Sequence, residues 1–348
     1  MIKKSKRKVI SIITATSIIA ATFSTGAKIL KDGYICSIYD VERDDMIDDF
    51  DINQLTDFYN EDSLFSYTKY PSFSRAIVEE MSASSYDDMV PQGITIMNNY
   101  ILISSYDYSK KNNSTIDVYK KDGIKINSCE LDIKSHVGSI AFDRNNNLVW
   151  IPSNDGKINA YLADDFLTKS SVEASYSNFD IGDGLLNYQN PLKNSIAYLT
   201  IKDNYLFVGS FSLVSHGLVK VYSIENENNF IKLKYNKSFN VPTRVQGIEF
   251  YKYDGKDYVI FSRSFGKRNS SLLQIFPYEE ENVNYHDGSV NSVFYEAPSM
   301  MEQITIDDAN LYVLFESGAK AYEACQNKIN DICVLEADKL VSEYIKKY

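Results

Sequence analysis

A short block recurs five times down this 348-residue chain, and the recurrence limits the possible folds more than any other feature. In each copy a polar or small pair leads into an apolar run, a turn follows, and a second apolar run closes on serine. The first copy reads Gln92-Gly93-Ile94-Thr95-Ile96 and then Tyr100-Ile101-Leu102-Ile103-Ser104-Ser105. The second opens Gly138-Ser139-Ile140-Ala141-Phe142 and the third Asn194-Ser195-Ile196-Ala197-Tyr198. The fourth opens Gln246-Gly247-Ile248-Glu249-Phe250 and the fifth Glu302-Gln303-Ile304-Thr305-Ile306. The starts lie 46, 56, 52 and 56 residues apart. Two further strand-like stretches separate successive copies, at 114–119 and 125–131, and again at 218–224 and 230–239. Four strands per repeat at this period match one propeller blade. The turns agree, because Met97-Asn98-Asn99, Lys202-Asp203-Asn204 and Asp254-Gly255-Lys256 are rich in residues that tolerate tight reversal. No long amphipathic helix interrupts the series, as a parallel α/β sheet would require.

Composition supports the pattern. Twenty-seven Tyr, 18 Phe and one Trp against 15 Gly and seven Pro favour half-buried pleated surface. The prediction is an all-β protein, a β-propeller of five blades, or of six if residues 33–86 hold a degenerate one. The fifth copy has a third strand at 331–337 and then a helical pattern at 338–348, so its fourth strand is missing. A strand lent by the N-terminal region, 33–39 or 74–79, is expected to fill that place and so remove an exposed sheet edge. Residues 44–62, very acidic, read as a short helical or irregular cap with a helix starting near 51–54.

The N-terminus reads as an address. Lys3, Lys4, Lys6, Arg7 and Lys8 precede the apolar run 9–23, and small residues follow at Thr25 and Ala27. This is the pattern of a secretory signal peptide cut after Ala27, and the run is too short and too diluted to span a bilayer comfortably. The expected organisation is a signal peptide at 1–27, a cap and closing strand at 28–87 and the propeller at 88–348. Removing the first 27 residues would take the net charge from −11 to −16, which disfavours nucleic acid as a partner. Cys36, Cys129, Cys325 and Cys333 all survive that cut. In an exported chain they can pair, Cys325 with Cys333 being close enough to staple one loop, or stay as buried thiols.

The chain resembles secreted bacterial β-propellers of uncharacterised function, within the lactonase-like and quinoprotein-like group. The resemblance lies in Val90-Pro91-Gln92-Gly93-Ile94, in His136-Val137-Gly138-Ser139-Ile140-Ala141 and in Leu314-Phe315-Glu316-Ser317-Gly318-Ala319, and covers about residues 88–340. It implies a fold and no activity, since one architecture serves many chemistries.

Aligning the copies gathers distant residues on one face. The leading side chains Gln92, Gly138, Asn194, Gln246 and Glu302 form an inner ring, with Val90, His136, Leu192, Arg244 and Met300 two residues earlier. The second-strand ends add Arg263 and Glu316, and Tyr106 and Asp107 stand just beyond. Polar groups around an axis can simply satisfy one another and water. Charged residues that differ from copy to copy are, however, how a repeated frame acquires a ligand site. Two guanidinium groups suit an anion. The expected function is binding of a small polar, anionic or glycan-like molecule, or of an extracellular protein, by a secreted monomer without turnover. The alternative is a hydrolase or lactonase using Glu302 or His136, with calcium held by Glu302, Asn194 and Gln92 or Gln246 as a chemically sensible cofactor. Asp143 to Asn147 mimics the opening of a calcium loop but has Leu148 at the sixth position, so it reads as a turn. No GxSxG elbow and no Cys/His metal spacing is present. A glycosidase would need Glu302 and Glu316 about 5–10 Å apart.

Overall fold

The computed structural model describes residues 67–68, 74–75, 88–181, 196–213, 216–228, 230–279, 284–285, 292–325 and 328–347. The predicted signal peptide, the cap helix near 51–54, Cys36, Leu192, Asn194 and His286 lie outside them.

The strands form five sheets. Blade one runs from the axis outward through β3 (Met89–Met97), β4 (Tyr100–Asp107), β5 (Thr115–Lys120) and β6 (Lys125–Leu131). Blade two uses β7 (Ala141–Asp143), β8 (Leu148–Pro152), β9 (Lys157–Leu162) and β11 (Tyr176–Asp180), while β10 (Ser171–Val172) adds in parallel to the outer edge of β6. Blade three is β12 (Ile196–Lys202), β13 (Tyr205–Ser210), β14 (Gly217–Glu227) and β15 (Phe230–Val241). Blade four is β16 (Val245–Tyr253), β17 (Lys256–Arg263), β18 (Ser271–Pro277) and β19 (Val293–Ala297), with β1 (Tyr67–Thr68) outside it. Blade five has β20 (Met301–Asp307), β21 (Asn310–Phe315) and β22 (Cys333–Glu336). Its fourth strand is β2 (Ser74–Arg75), antiparallel to β22, so the later of the two predicted closing segments is the one used.

Hairpin chemistry sets each reversal. Asp203-Asn204 and Asp254-Gly255 all have positive φ, the backbone a two-residue hairpin of the favoured twist demands. The inner strands β3, β7, β12, β16 and β20 pack in cyclic order, and β20 returns to β3. The hydrophobic core is accordingly divided into slabs between neighbouring blades. Leu102, Ile116 and Val118 meet Val149, Ile151 and Tyr161, while Ile94 and Ile103 meet Tyr312 and Leu314 on the other side of blade one. Each buried aliphatic or aromatic side chain contributes roughly 1.5–3 kcal/mol. Between blades four and five the slab is capped by helix α2 (Ala337–Lys347), whose Leu340, Val341 and Tyr344 lie on one face. A short helix, α1 (Asp165–Thr168), covers blade two with Phe166. No helix among the described residues is long and apolar enough to cross a membrane.

Close approach at the axis explains the repeat's glycines. A Cβ on Gly93 would stand 2.8 Å from the Ser139 carbonyl carbon, and one on Gly247 would stand 3.0 Å from Ile304 N. The fifth blade places Gln303 at this level, and its amide closes the middle of the ring. Oε1 accepts from Ile94 N and Ile140 N, both at 2.9 Å, and Nε2 donates to Ile140 O at 2.9 Å and Leu199 O at 3.1 Å. One buried side chain thus ties blades one, two and three to blade five.

That bonding corrects the predicted register of the third copy. Leu199 stands where Ile94 and Ile140 stand, and Tyr198 pairs with Gly209 as Gly93 pairs with Ser104. The block therefore starts three residues later, and Ala197 takes the inner-ring place assigned to Asn194. Its carbonyl oxygen lies 3.0 Å from where a Gly138 Cβ would be. The tyrosine ring of Tyr198 fills the space over Gly209. Among the described cysteines, Cys129, Cys325 and Cys333 are all buried, and the Cys325–Cys333 staple is not formed.

Candidate functional site

At the end of the channel where the first strands begin, β20 contributes Glu302 and the residue just past β21 contributes Glu316. Glu302 is 3% exposed. The two carboxyls hydrogen-bond each other. Gln92, from β3, donates through Nε2 to Glu316 Oε2 at 2.6 Å and to Pro91 O at 3.0 Å. Gln246, from β16, donates through Nε2 to Glu302 Oε1 at 3.3 Å. Tyr322 hydrogen-bonds Glu316, and Tyr106 hydrogen-bonds Tyr322. Three blades and one turn thus supply a single network around two acids.

Burial and like charge decide the protonation of this pair. Burial is the largest effect on Glu302, the Glu316 charge adds to it, and together they hold its carboxyl well above the usual range. Burial likewise raises Glu316 from 4.5 to about 7, with the hydrogen bond from Gln92 pulling the other way. Two carboxyls in contact cannot both ionise cheaply, so the pair retains a proton at neutral pH and titrates as a unit. Burial pushes the Tyr106 phenol up to about 12, so it remains a hydroxyl.

The predicted residues divide into those that join this network and those that do not. Gln92, Tyr106, Gln246, Glu302 and Glu316 come together. His136 stacks on Tyr106 with ring centroids 4.6 Å apart. It meets the water of the mouth but is walled in by protein, and desolvation together with the Lys110 charge depresses its pKa to about 4, leaving it neutral. Arg244 is exposed at the rim, its guanidinium laid over Phe265 at 4.5 Å.

Two others are occupied elsewhere. Arg263 donates from Nε to Thr243 O at 2.8 Å, and its terminal nitrogens bond Gln274 Oε1 and Thr243 Oγ1, both at 2.9 Å. Ser262 pairs with Gly247 as Ser104 pairs with Gly93, so Ser262 and not Arg263 is the counterpart of Ser104. The two-arginine anion clamp is therefore not assembled. Asp107 is buried, and its carboxylate accepts from Ser109, Lys111 and Asn112 backbone N–H groups. Burial raises its pKa, but those hydrogen bonds outweigh it and hold the carboxylate below the usual range, so Asp107 shapes its own loop. Asp143 likewise accepts from Asn145 N and Asn146 N, which makes 143–147 a turn.

Three contributors escaped the sequence reading. Tyr322 sits on a 3-10 turn, Lys320–Tyr322, inserted between β21 and β22. Tyr108 meets it edge-on at 6.1 Å, and Lys267 Nζ stands 5.3 Å from the centre of its ring. All three lie in connections outside the repeated block. Only the proximity of Tyr322 to Glu316 in the chain offered a signal. Among the described residues no group of three or more His, Cys, Asp or Glu side chains converges as a metal site.

No family model matches the chain, and no curated protein matches it. Solved structures with similarity include the nidogen/laminin complex, at 10% identity over 66% of this chain and 74% of that one, with a TM-score of 0.36. The WD40 β-propeller domain of Doa1 is 13% identical over 72% of this chain and 85% of its own, TM-score 0.36. The RRP9 WD40 repeats are 8% identical over 76% and 99%, TM-score 0.37. The five-bladed fold rests on this chain's own sheets and their cyclic packing.

Proposed function

We propose that this propeller is a binding module, and that the mouth of its channel receives a polar group of a small molecule, a glycan or an exported protein partner without turning it over. The observation that carries the reading is the Glu302–Glu316 pair, with Gln92 and Tyr322 hydrogen-bonded to Glu316 and Gln246 to Glu302. Buried acids held in contact cost stability, and a site that keeps them has a use for their charge or their proton. Tyrosines above them offer flat apolar faces with polar tips, which suits a ligand that is polar at one end. The basic and apolar N-terminal pattern supports export, which amino-terminal sequencing of protein recovered from the medium would check.

A hydrolase or lactonase reading draws on Glu316, whose pKa near 7 suits proton transfer. Against it, the two carboxyls touch, whereas flanking a glycosidic bond takes about 5–10 Å. Its calcium-dependent form would put the ion in place of the shared proton, on Glu302, Glu316 and the Gln246 amide oxygen. A melting curve unchanged by chelator would remove that form.

The binding reading is tested by a thermal-shift panel of sugars, polyols, amines and short peptides. Compounds that stabilise the wild type should lose their effect on Glu302→Gln and Tyr322→Phe, with both variants folded. If the same compounds act equally on the variants, the mouth is not where they bind.

A further inference from the structure

We infer that the mouth is an ammonium site, built for the side-chain amine of a lysine or for another primary amine, and that Lys267 of the chain itself stands in for that group. The inference rests on the binding reading above and names its ligand class.

Lys267 is carried by the connection between β17 and β18. Its backbone oxygen accepts a hydrogen bond from Cys325 Sγ at 3.3 Å, while its side chain is exposed. The ammonium therefore reaches into the mouth from an anchored loop and can swing aside without unfolding it. It rests over Tyr322 at 5.3 Å, with Tyr108 standing edge-on to that ring and Tyr106 hydrogen-bonded to it. A cation over the face of a tyrosine is attracted by the ring's quadrupole, and several such rings make a cage. Below the rings lie Glu302 and Glu316, and the Lys267 charge already favours the ionised form of Glu316.

Charge bookkeeping selects the ligand's sign. The groups facing the acid pair are Gln92 from β3, Tyr106 from β4, Gln246 from β16, Tyr322 from its turn and Lys267 from its loop. His136 reaches the network only through Tyr106 and is neutral. Arg263 is bonded to Thr243 and Gln274, and Arg244 lies over Phe265. An anion entering here would bring a further negative charge to two acids that already repel. An ammonium does the opposite: its entry lets the retained proton leave to solvent, and both carboxylates then face a cation. Three N–H donors suit two carboxylates and a phenol oxygen at once.

The test is calorimetric titration of n-butylammonium, with n-butanol as the uncharged control, into the wild-type chain, Lys267→Ala and Glu316→Gln. A loop-tethered competitor acts at a millimolar effective concentration, so removing Lys267 should tighten binding of a millimolar amine about two- to tenfold. Glu316→Gln should weaken the amine, n-butanol should not bind, and heats measured in buffers of different ionisation enthalpy should report proton release. Lys267→Ala binding the amine no better than wild type, or no better than it binds n-butanol, overturns the inference. If sugars or polyols bind and lose affinity on Glu316→Gln while the amine shows no preference, the ammonium assignment fails and the binding reading stands. If Glu316→Gln alters binding of no polar probe, both fail.

Discussion

Replacing Gln303 by leucine would probe the axis of the molecule. The leucine nearly matches the amide in volume, so the centre stays filled and water stays out, but four hydrogen bonds at 2.9 to 3.1 Å disappear. Ile94 N, Ile140 N, Ile140 O and Leu199 O would then lie buried, the two N–H groups without their acceptor. Each lost bond is worth about 1 kcal/mol net, and each buried backbone group left unpaired costs about 1–3 kcal/mol. Relaxation will recover part of this, so the expected loss is about 4–6 kcal/mol. Single domains have about 5–15 kcal/mol in total. Urea unfolding followed by tryptophan fluorescence reads the change, Trp150 being fully buried in blade two. The midpoint should fall sharply with the slope unchanged, since the surface exposed on unfolding is the same. A loss under about 1 kcal/mol would show that Gln303 does not bridge three blades, and the convergence of the inner strands would have to be abandoned.

Other outcomes follow from the same contacts. Gly209→Ala should destabilise strongly, by about 3 kcal/mol or more, because its Cβ would fall 1.9 Å from a Tyr198 ring carbon; near-neutral thermal unfolding would reject the corrected register of blade three. Arg263→Leu should cost about 2–4 kcal/mol by stranding Thr243 O and Gln274, whereas exposed Arg244→Ala should stay within about 0.5 kcal/mol; equal effects in chemical denaturation would contradict their assigned roles. Glu316 titrates near 7 in the folded chain against 4.5 ordinarily, so the folded state binds the extra proton and wild-type stability falls as pH rises from about 4.5 through 7. Glu316→Gln removes the part of that slope that Glu316 supplies and should gain on the wild type by at most about 3 kcal/mol at pH 8 relative to pH 4.5; parallel stability curves for the two proteins would refute it.

The propeller was legible because its signal is redundant. Each blade states the same strand–turn–strand pattern, and turns such as Asp254-Gly255 can adopt little else. Where one copy is ambiguous, redundancy misleads: Ile196-Ala197-Tyr198 imitates Ile140-Ala141-Phe142, yet the structural match is Leu199-Thr200-Ile201. Only the hydrogen bonds to Gln303 tell the two apart. The site was half legible. Glu302 and Glu316 were found because they depart from their siblings in the repeat. Arg263 was misplaced because serines flank it on both sides, and matching Ser264 rather than Ser262 to the repeat shifts the strand end by one residue. Tyr322, Tyr108 and Lys267 were missed because they stand in connections whose course no periodicity specifies. Asp107 and Arg244 looked alike as charged mouth residues, and only bonding partners distinguish a carboxylate that ties its own loop from a guanidinium at the rim.

The proton held between Glu302 and Glu316 carries the functional account, and isotope-edited carboxyl NMR of the two residues across pH tests it most directly. Two linked titrations are expected, both above the ordinary 4.5 and that of Glu316 near 7, with a shift at one carboxyl felt at the other. Independent titration of both acids near the ordinary 4.5 would contradict it, leaving a propeller mouth lined by two unrelated surface glutamates.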